Sequence, residues 1–165
     1  MTSVLDIKPR ENEVKTGIDS ESAVAEGLAD VLGDTYRLMF KSHAYHWNVT
    51  GPLFYSLHKL TETQYEDLFA AADVIAERIR ALGQLTPMRL DAMAGKSVIK
   101  DRDGTPTAGE MVKDLCSDHE RVAHRLHALA TLSEKNGDIV TADLATARSA
   151  FHEKTAWMLR SIIAD

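Results

Sequence analysis

Apolar residues recur along this chain at alternating steps of three and four, the spacing of one face of an α-helix, in four long stretches. In the first, Val24, Leu28, Val31, Leu32, Thr35, Leu38 and Met39 form a single stripe lasting into His46, with Asp19 or Ser20 able to cap its start. Gly51-Pro52 breaks the pattern, because proline has no amide to donate and disfavours helix in the residue before it. A second helix is predicted from about Tyr55 to Leu82. Its face is Leu57, Thr61, Gln64, Leu68, Ala71, Ile75, Ile79 and Leu82, and Gly83 is its stop. Pro87, Gly95, Gly104 and Pro106 make the stretch from Gln84 to Pro106 a long crossover with one short helical turn at Leu90 to Ala94. The third helix, Thr107 to Lys135, carries Met111, Leu115, Val122, Leu126 and Leu129 and ends at Asn136-Gly137. The fourth, Asp138 to Ile163, has Val140, Leu144, Ala147, Phe151, Met158 and Ile162 as its predicted seam.

Nothing in these periods supports a sheet. Four long helices with one crossover, which lets the third run parallel to the second, predict an all-α, ferritin-like four-helix bundle over residues 19–165. Residues 1–18 show no periodicity and mix Lys8, Arg10 and Lys15 with Asp6, Glu11 and Glu13, as a flexible tail does. At 165 residues, one core is expected.

Composition narrows the function classes. The longest purely apolar run, Leu68 to Ala72, is five residues, so neither a membrane span nor a leader is expected. Cys116 is the sole cysteine, which excludes an internal disulfide or a C-x-x-C site and suits a reducing cytosol. The net charge of −6 repels phosphate backbones on average and would draw in cations where it is focused.

The candidate chemistry sits on the second helix. His58, Glu62, Asp73 and Glu77 fall at about 100°, 140°, 160° and 200° from Leu57 on a helical wheel, sharing one polar arc turned away from the apolar stripe. Tyr65 and Phe69 lie close to that arc, and aromatics on an outward face point to a subunit contact. His58 and Asp73 are roughly 22 Å apart along the axis, so one chain cannot close a metal site with them. An antiparallel copy can, because the pairs 58/77 and 62/73 share a midpoint between Asp67 and Leu68. A two-fold axis there makes two equal sites, each with one imidazole and three carboxylates, a set suited to iron or manganese. His46, just before the Gly51-Pro52 reversal, can bring a second imidazole to His58. A plain solvated acidic face is the alternative.

The segment from His43 to Gly83, HAYHWNVTGPLFYSLHKLTETQYEDLFAAADVIAERIRALG, resembles the signature of the Dps family, ferritin-like proteins that protect bacterial DNA from iron and peroxide. The resemblance rests on His46-Trp47-Asn48, His58 twelve residues on, the acid Glu62, and Asp73 and Glu77 before Arg78. It implies an intersubunit ferroxidase centre formed by His46, His58 and Glu62 of one subunit with Asp73 and Glu77 of its two-fold mate. It also implies a hollow dodecamer storing ferric oxide, with Fe(II) as substrate and hydrogen peroxide as preferred oxidant. The best-known members carry aspartate where this chain has Glu62, which alters metal spacing. Asp138 and Asp143, in NGDIVTAD, resemble the family's pore-forming segment, although Asp138 equally suits a helix N-cap. Trp47 resembles the family's trap for stray oxidising equivalents, with packing as the plainer role.

Other signals carry less. His43 is read as a helix-end histidine outside the ligand set. His119, Glu120, His124 and His127 on the third helix are read as one partly buried histidine and a solvated face. Glycine-rich phosphate loops of the G-x-x-x-x-G-K type are missing, as are E-x-x-H pairs for a di-iron site inside one bundle. DNA is a possible partner of the resembled family through lysine-rich tails, but residues 1–19 here hold three basic and four acidic side chains, a feeble neutraliser of phosphate.

Overall fold

The computed structural model describes residues 4–12 and 14–163, so the predicted tail is seen except for residues 1–3 and 13. The chain forms α1 (Glu21–Asn48), α2 (Phe54–Ala81), the short α3 (Leu90–Ala94), α4 (Ala108–Lys135) and α5 (Ile139–Ile162), with a 3₁₀ turn at Val4–Asp6. There is no strand among the described residues. At 1.5 Å per residue the longest helices reach about 42 Å. Each predicted boundary lies within about two residues of the observed one, and α3 occupies the predicted turn.

The ends follow from local chemistry. Gly83 adopts φ +84°, and Gln84 N–H donates to the Ile79 carbonyl (3.2 Å), the left-handed closure that glycine permits and that stops α2. Thr107 caps α4 in a reciprocal pair with Glu110. The start of α1 differs from expectation. Ser20 holds a left-handed conformation (φ 49°, ψ 46°) and makes no side-chain cap bond. Asp19 instead donates its backbone N–H to the Asn136 carbonyl (3.0 Å), and Asn12 N–H donates to the Gly83 carbonyl (3.0 Å), tying the preceding segment to the bundle at two points.

The most extensive packing joins α1 to α2 and α4 to α5. Lys41 pairs with Asp118 and Asp114, and Arg125 with Asp34, so α1 and α4 run antiparallel, and α2 runs parallel to α4. The crossover that makes this possible is bonded to the bundle. Asp34, fully buried, accepts from Ser97 Oγ (2.7 Å) and Val98 N–H (2.8 Å), while Arg37 and Lys41 donate to the carbonyls of Ile99 and Lys100. A Cβ on Gly33 would lie 2.2 Å from the Met93 carbonyl oxygen, so glycine is what lets α3 rest on α1.

The core faces of α1, α2 and α4 are those predicted. That of α5 is not. Its buried face is Thr141, Ala142, Ala145, Ser149, His152, Thr155, Ala156 and Leu159, whereas Val140 is 56% and Met158 37% exposed and Phe151 only flanks the core. Apart from Leu159, the buried residues are small or polar; Leu144, Phe151 and Ile162 of the predicted seam pack partly buried at the edge of the core, and Ile139, Val140 and Trp157 are exposed. Periodicity selected the bulkier stripe, and the subunit buries the smaller one.

Candidate metal centre

His46 in the last turn of α1 and His58 in the first turn of α2 face each other across the reversal at Val49–Leu53, where Gly51 takes φ +89°. Each ring is fixed by the backbone of the other residue. His46 Nδ1–H donates to the His58 carbonyl (2.8 Å), and His58 Nδ1–H donates to the His46 carbonyl (2.9 Å). A carbonyl can only accept, so the proton of each neutral ring sits on Nδ1 and each Nε2 keeps its lone pair for a metal. The rings stack with centroids 3.7 Å apart at 18°, and Phe54 lies on the far side of His58 (5.0 Å).

Glu62 stands one turn beyond His58 on α2 and is half-buried. The hydrogen bond from Lys59 Nζ (2.6 Å) holds its carboxyl below the usual range; partial burial opposes this, and the positive charge of Lys59 adds to it. Lys59 therefore neutralises the Glu62 carboxylate. Sequence periodicity gave no sign of this pair, because lysine and glutamate three apart occur on most solvated faces.

Asp73 and Glu77 stay apart from these three. Both are exposed on α2, and Asp73 lies about 16 Å along the axis from Glu62. Among the described residues no group of three or more histidine, cysteine, aspartate or glutamate side chains within the chain can hold a metal ion. The surface around them is apolar for an outward face, with Tyr55 74%, Phe69 67% and Val74 50% exposed. His43, set aside in the sequence, packs between Trp47 (3.9 Å) and Tyr65 (4.2 Å, stacked), and Tyr65 stands edge-on to His46 (5.3 Å). Trp47 is 59% exposed, so it does not pack in the subunit core.

The ferritin-like domain family matches residues 25–165. A low temperature-induced protein of Nostoc sp. is 40% identical over 88% of this chain and 82% of its own length. The DNA protection during starvation protein of Brevibacillus brevis is 32% identical over 91% of this chain and 99% of its own. A crystal structure of a Dps protein from Bacillus brevis superimposes with a TM-score of 0.84 at 30% identity, covering 87% of this chain and 97% of that one. The chain belongs to the Dps family.

In this Dps protein the two acids at the start of α5 differ in kind. Asp138 is fully buried and accepts from Thr141 N–H (2.8 Å), Thr141 Oγ1 (2.6 Å) and Arg78 Nη2 (2.7 Å). Burial alone would raise its pKa, but the Thr141 hydroxyl and amide and the Arg78 guanidinium outweigh that and leave it below the ordinary value. Its carboxylate caps α5 and is buried within the subunit, which is the N-cap alternative the sequence offered. Asp143 is exposed. On α4, His119 is wholly rather than partly buried, and His127 lies on the expected solvated face, where it bonds Glu153 (2.7 Å).

Proposed function

We propose that this Dps protein oxidises ferrous iron at sites shared between two subunits, His46, His58 and Glu62 coming from one and Asp73 and Glu77 from its two-fold mate. The observation that carries this reading is the reciprocal His46–His58 bonding, which frees two Nε2 lone pairs one turn from Glu62 on a chain whose described residues form no complete metal-binding group by themselves. The common midpoint of 58/77 and 62/73 supplies the missing acids through an antiparallel copy of α2, whose exposed aromatic face such a contact would cover.

Anionic ligands favour ferric over ferrous iron, and a pair of ferrous ions can together give two electrons to one oxidant. With hydrogen peroxide as the preferred oxidant, two Fe(II), one peroxide and two protons yield two Fe(III) and two waters, and no hydroxyl radical is released. Ferric product is then stored in the cavity of a dodecamer, reached through openings near Asp143, and DNA is protected by removal of the two reactants. Trp47, beside His43, takes up an oxidising equivalent that escapes the site. No helix of the described residues is long and apolar enough to cross a membrane, and we place the protein in the bacterial cytoplasm.

The test is complementation between two variants. His58→Ala and Asp73→Ala each remove a ligand from both sites of a homodimer, and peroxide-driven oxidation, followed by stopped-flow absorbance, should collapse in either. Co-assembled subunits regain intact sites, because a mixed dimer joins the native His58 of one chain to the native Asp73 of the other. Recovery of fast oxidation supports a shared site, and its absence in correctly sized mixed assemblies overturns it.

A further inference from the structure

Four polar side chains, one from each long helix, occupy a single level inside the bundle, about one turn along α1 from His46. They are Ser42 on α1, Gln64 on α2, His119 on α4 and His152 on α5, with at most 1% exposure for any of them. Contacts between each pair of neighbouring helices fix the register. His46 meets His58 and His43 stacks on Tyr65, which sets Gln64 opposite Ser42. Lys41 meets Asp118 and Tyr45 meets Asp114, which sets His119 within a turn of that level. Asp67 meets Arg148 and Arg78 meets Asp138, which sets His152 opposite Gln64. The last side of the square is observed directly, since His119 Nδ1 and His152 Nδ1 share a hydrogen bond of 2.9 Å.

This level is short of partners. Ser42 Oγ, both amide atoms of Gln64 and His119 Nε2 are buried and bond to no protein group. Among polar neighbours along the same seams, the Thr61 hydroxyl donates to the Leu57 carbonyl (2.7 Å) and the Ser149 hydroxyl donates to Glu153 (2.9 Å), whereas Arg148 Nη2, on the guanidinium paired with Asp67, is itself buried without a hydrogen bond. Above and below, the seam closes with Leu38, Leu57, Leu68, Leu115, Val122 and Leu159, all fully buried. Buried polar atoms are bonded with few exceptions, and four orphans gathered at one level imply a common partner.

We propose that this layer is an internal binding site for ordered water, bridging Gln64 of α2 to Ser42 of α1 and His119 of α4. The chemistry of the donors selects the ligand. The layer contains no carboxylate to balance a cation, and burial holds His119 neutral, its pKa lowered to about 3. Arg148, whose charge acts on both histidines, has that charge balanced by Asp67 at 2.6 Å, which leaves the layer no net charge to bind an anion. An amide, a hydroxyl and a neutral imidazole together require a small neutral molecule that both donates and accepts, and a buried water typically makes about three such bonds. The site shares no residue with the proposed iron centre.

A high-resolution crystal structure of the full-length assembly tests it directly. Density for a water within about 2.7–3.2 Å of Gln64 and of Ser42 or His119 is expected. Direct bonding of Gln64 to His119 in a dry layer, or anomalous density for a metal, overturns the proposal. Thermal unfolding gives a second readout. In a wet layer Gln64→Leu strands the water and lowers Tm by on the order of 2–4 °C, and Ser42→Ala combined with it lowers Tm by less than the two separate losses together. A rise in Tm for Gln64→Leu, as expected when an orphaned amide is removed from a dry core, overturns it.

Discussion

Replacing Asp138 separates a structural carboxylate from a functional one. The side chain caps α5 through Thr141 N–H, and losing such a cap costs about 1 kcal/mol. It also neutralises Arg78, whose side chain is 13% exposed. Removing one member of a buried ion pair costs about 3–5 kcal/mol, to be reduced here to about 2 because Arg78 still reaches water. Asp138→Ala should therefore lose on the order of 3 kcal/mol. Asp138→Asn keeps an acceptor for the cap and should lose about half of that. Urea unfolding followed by far-UV circular dichroism, with sizing to confirm assembly, measures both. Because the Asp138 pKa is lowered on folding, its stabilisation is present above the ordinary carboxylate range, near 3.8, and is lost as pH falls through the folded value. Iron uptake should be unchanged in Asp138→Asn, since the carboxylate is fully buried, and slowed in Asp143→Ala. A loss below about 1 kcal/mol for Asp138→Ala, together with slowed uptake in Asp138→Asn, would refute the cap and restore the pore.

The buried His119–His152 pair makes the fold sensitive to acid. Burial, and then the charge of Arg148, holds His119 down to about 3, and burial, His119 and Arg148 depress His152. Below the ordinary value near 6.5 the unfolded chain takes up protons that the folded pair refuses, so stability falls by about 1.4 kcal/mol per pH unit for each ring. Asp34 and Asp118, raised chiefly by burial, act in the opposite sense at lower pH. Urea midpoints at pH 7.5 and 5.5 should show the fall, and equal midpoints would show that the pair titrates normally. Gly33→Ala would force its Cβ against the Met93 carbonyl, and a loss of about 1–3 kcal/mol with faster proteolysis around α3 is expected. Lys59→Met should release Glu62 and strengthen ferrous binding at low peroxide, read by anaerobic titration. In a low-salt gel shift the native chain should retard DNA weakly, as its tail charge predicts.

The sequence alone settled the helices and most of their inner faces, because a 3.6-residue period with glycine, proline and capping residues at its breaks admits few other readings. It also showed that the proposed ligands could not all meet within one chain, since the rise of a helix is a constant, and gave the shared midpoint on which the proposed two-fold contact rests. It could not choose the buried stripe of α5. Val140, Phe151 and Met158 are more apolar than Ala145, Ser149 and Ala156, and burial inside the subunit or against a neighbour leaves the same pattern in a single chain. Nor could it show that His46 and His58 lock each other's tautomer through main-chain carbonyls, that Asp138 faces Arg78, or that four polar residues meet at one level. Those facts depend on which helices are neighbours and in what register, and the long crossover decides that by folding back onto Asp34, Arg37 and Lys41.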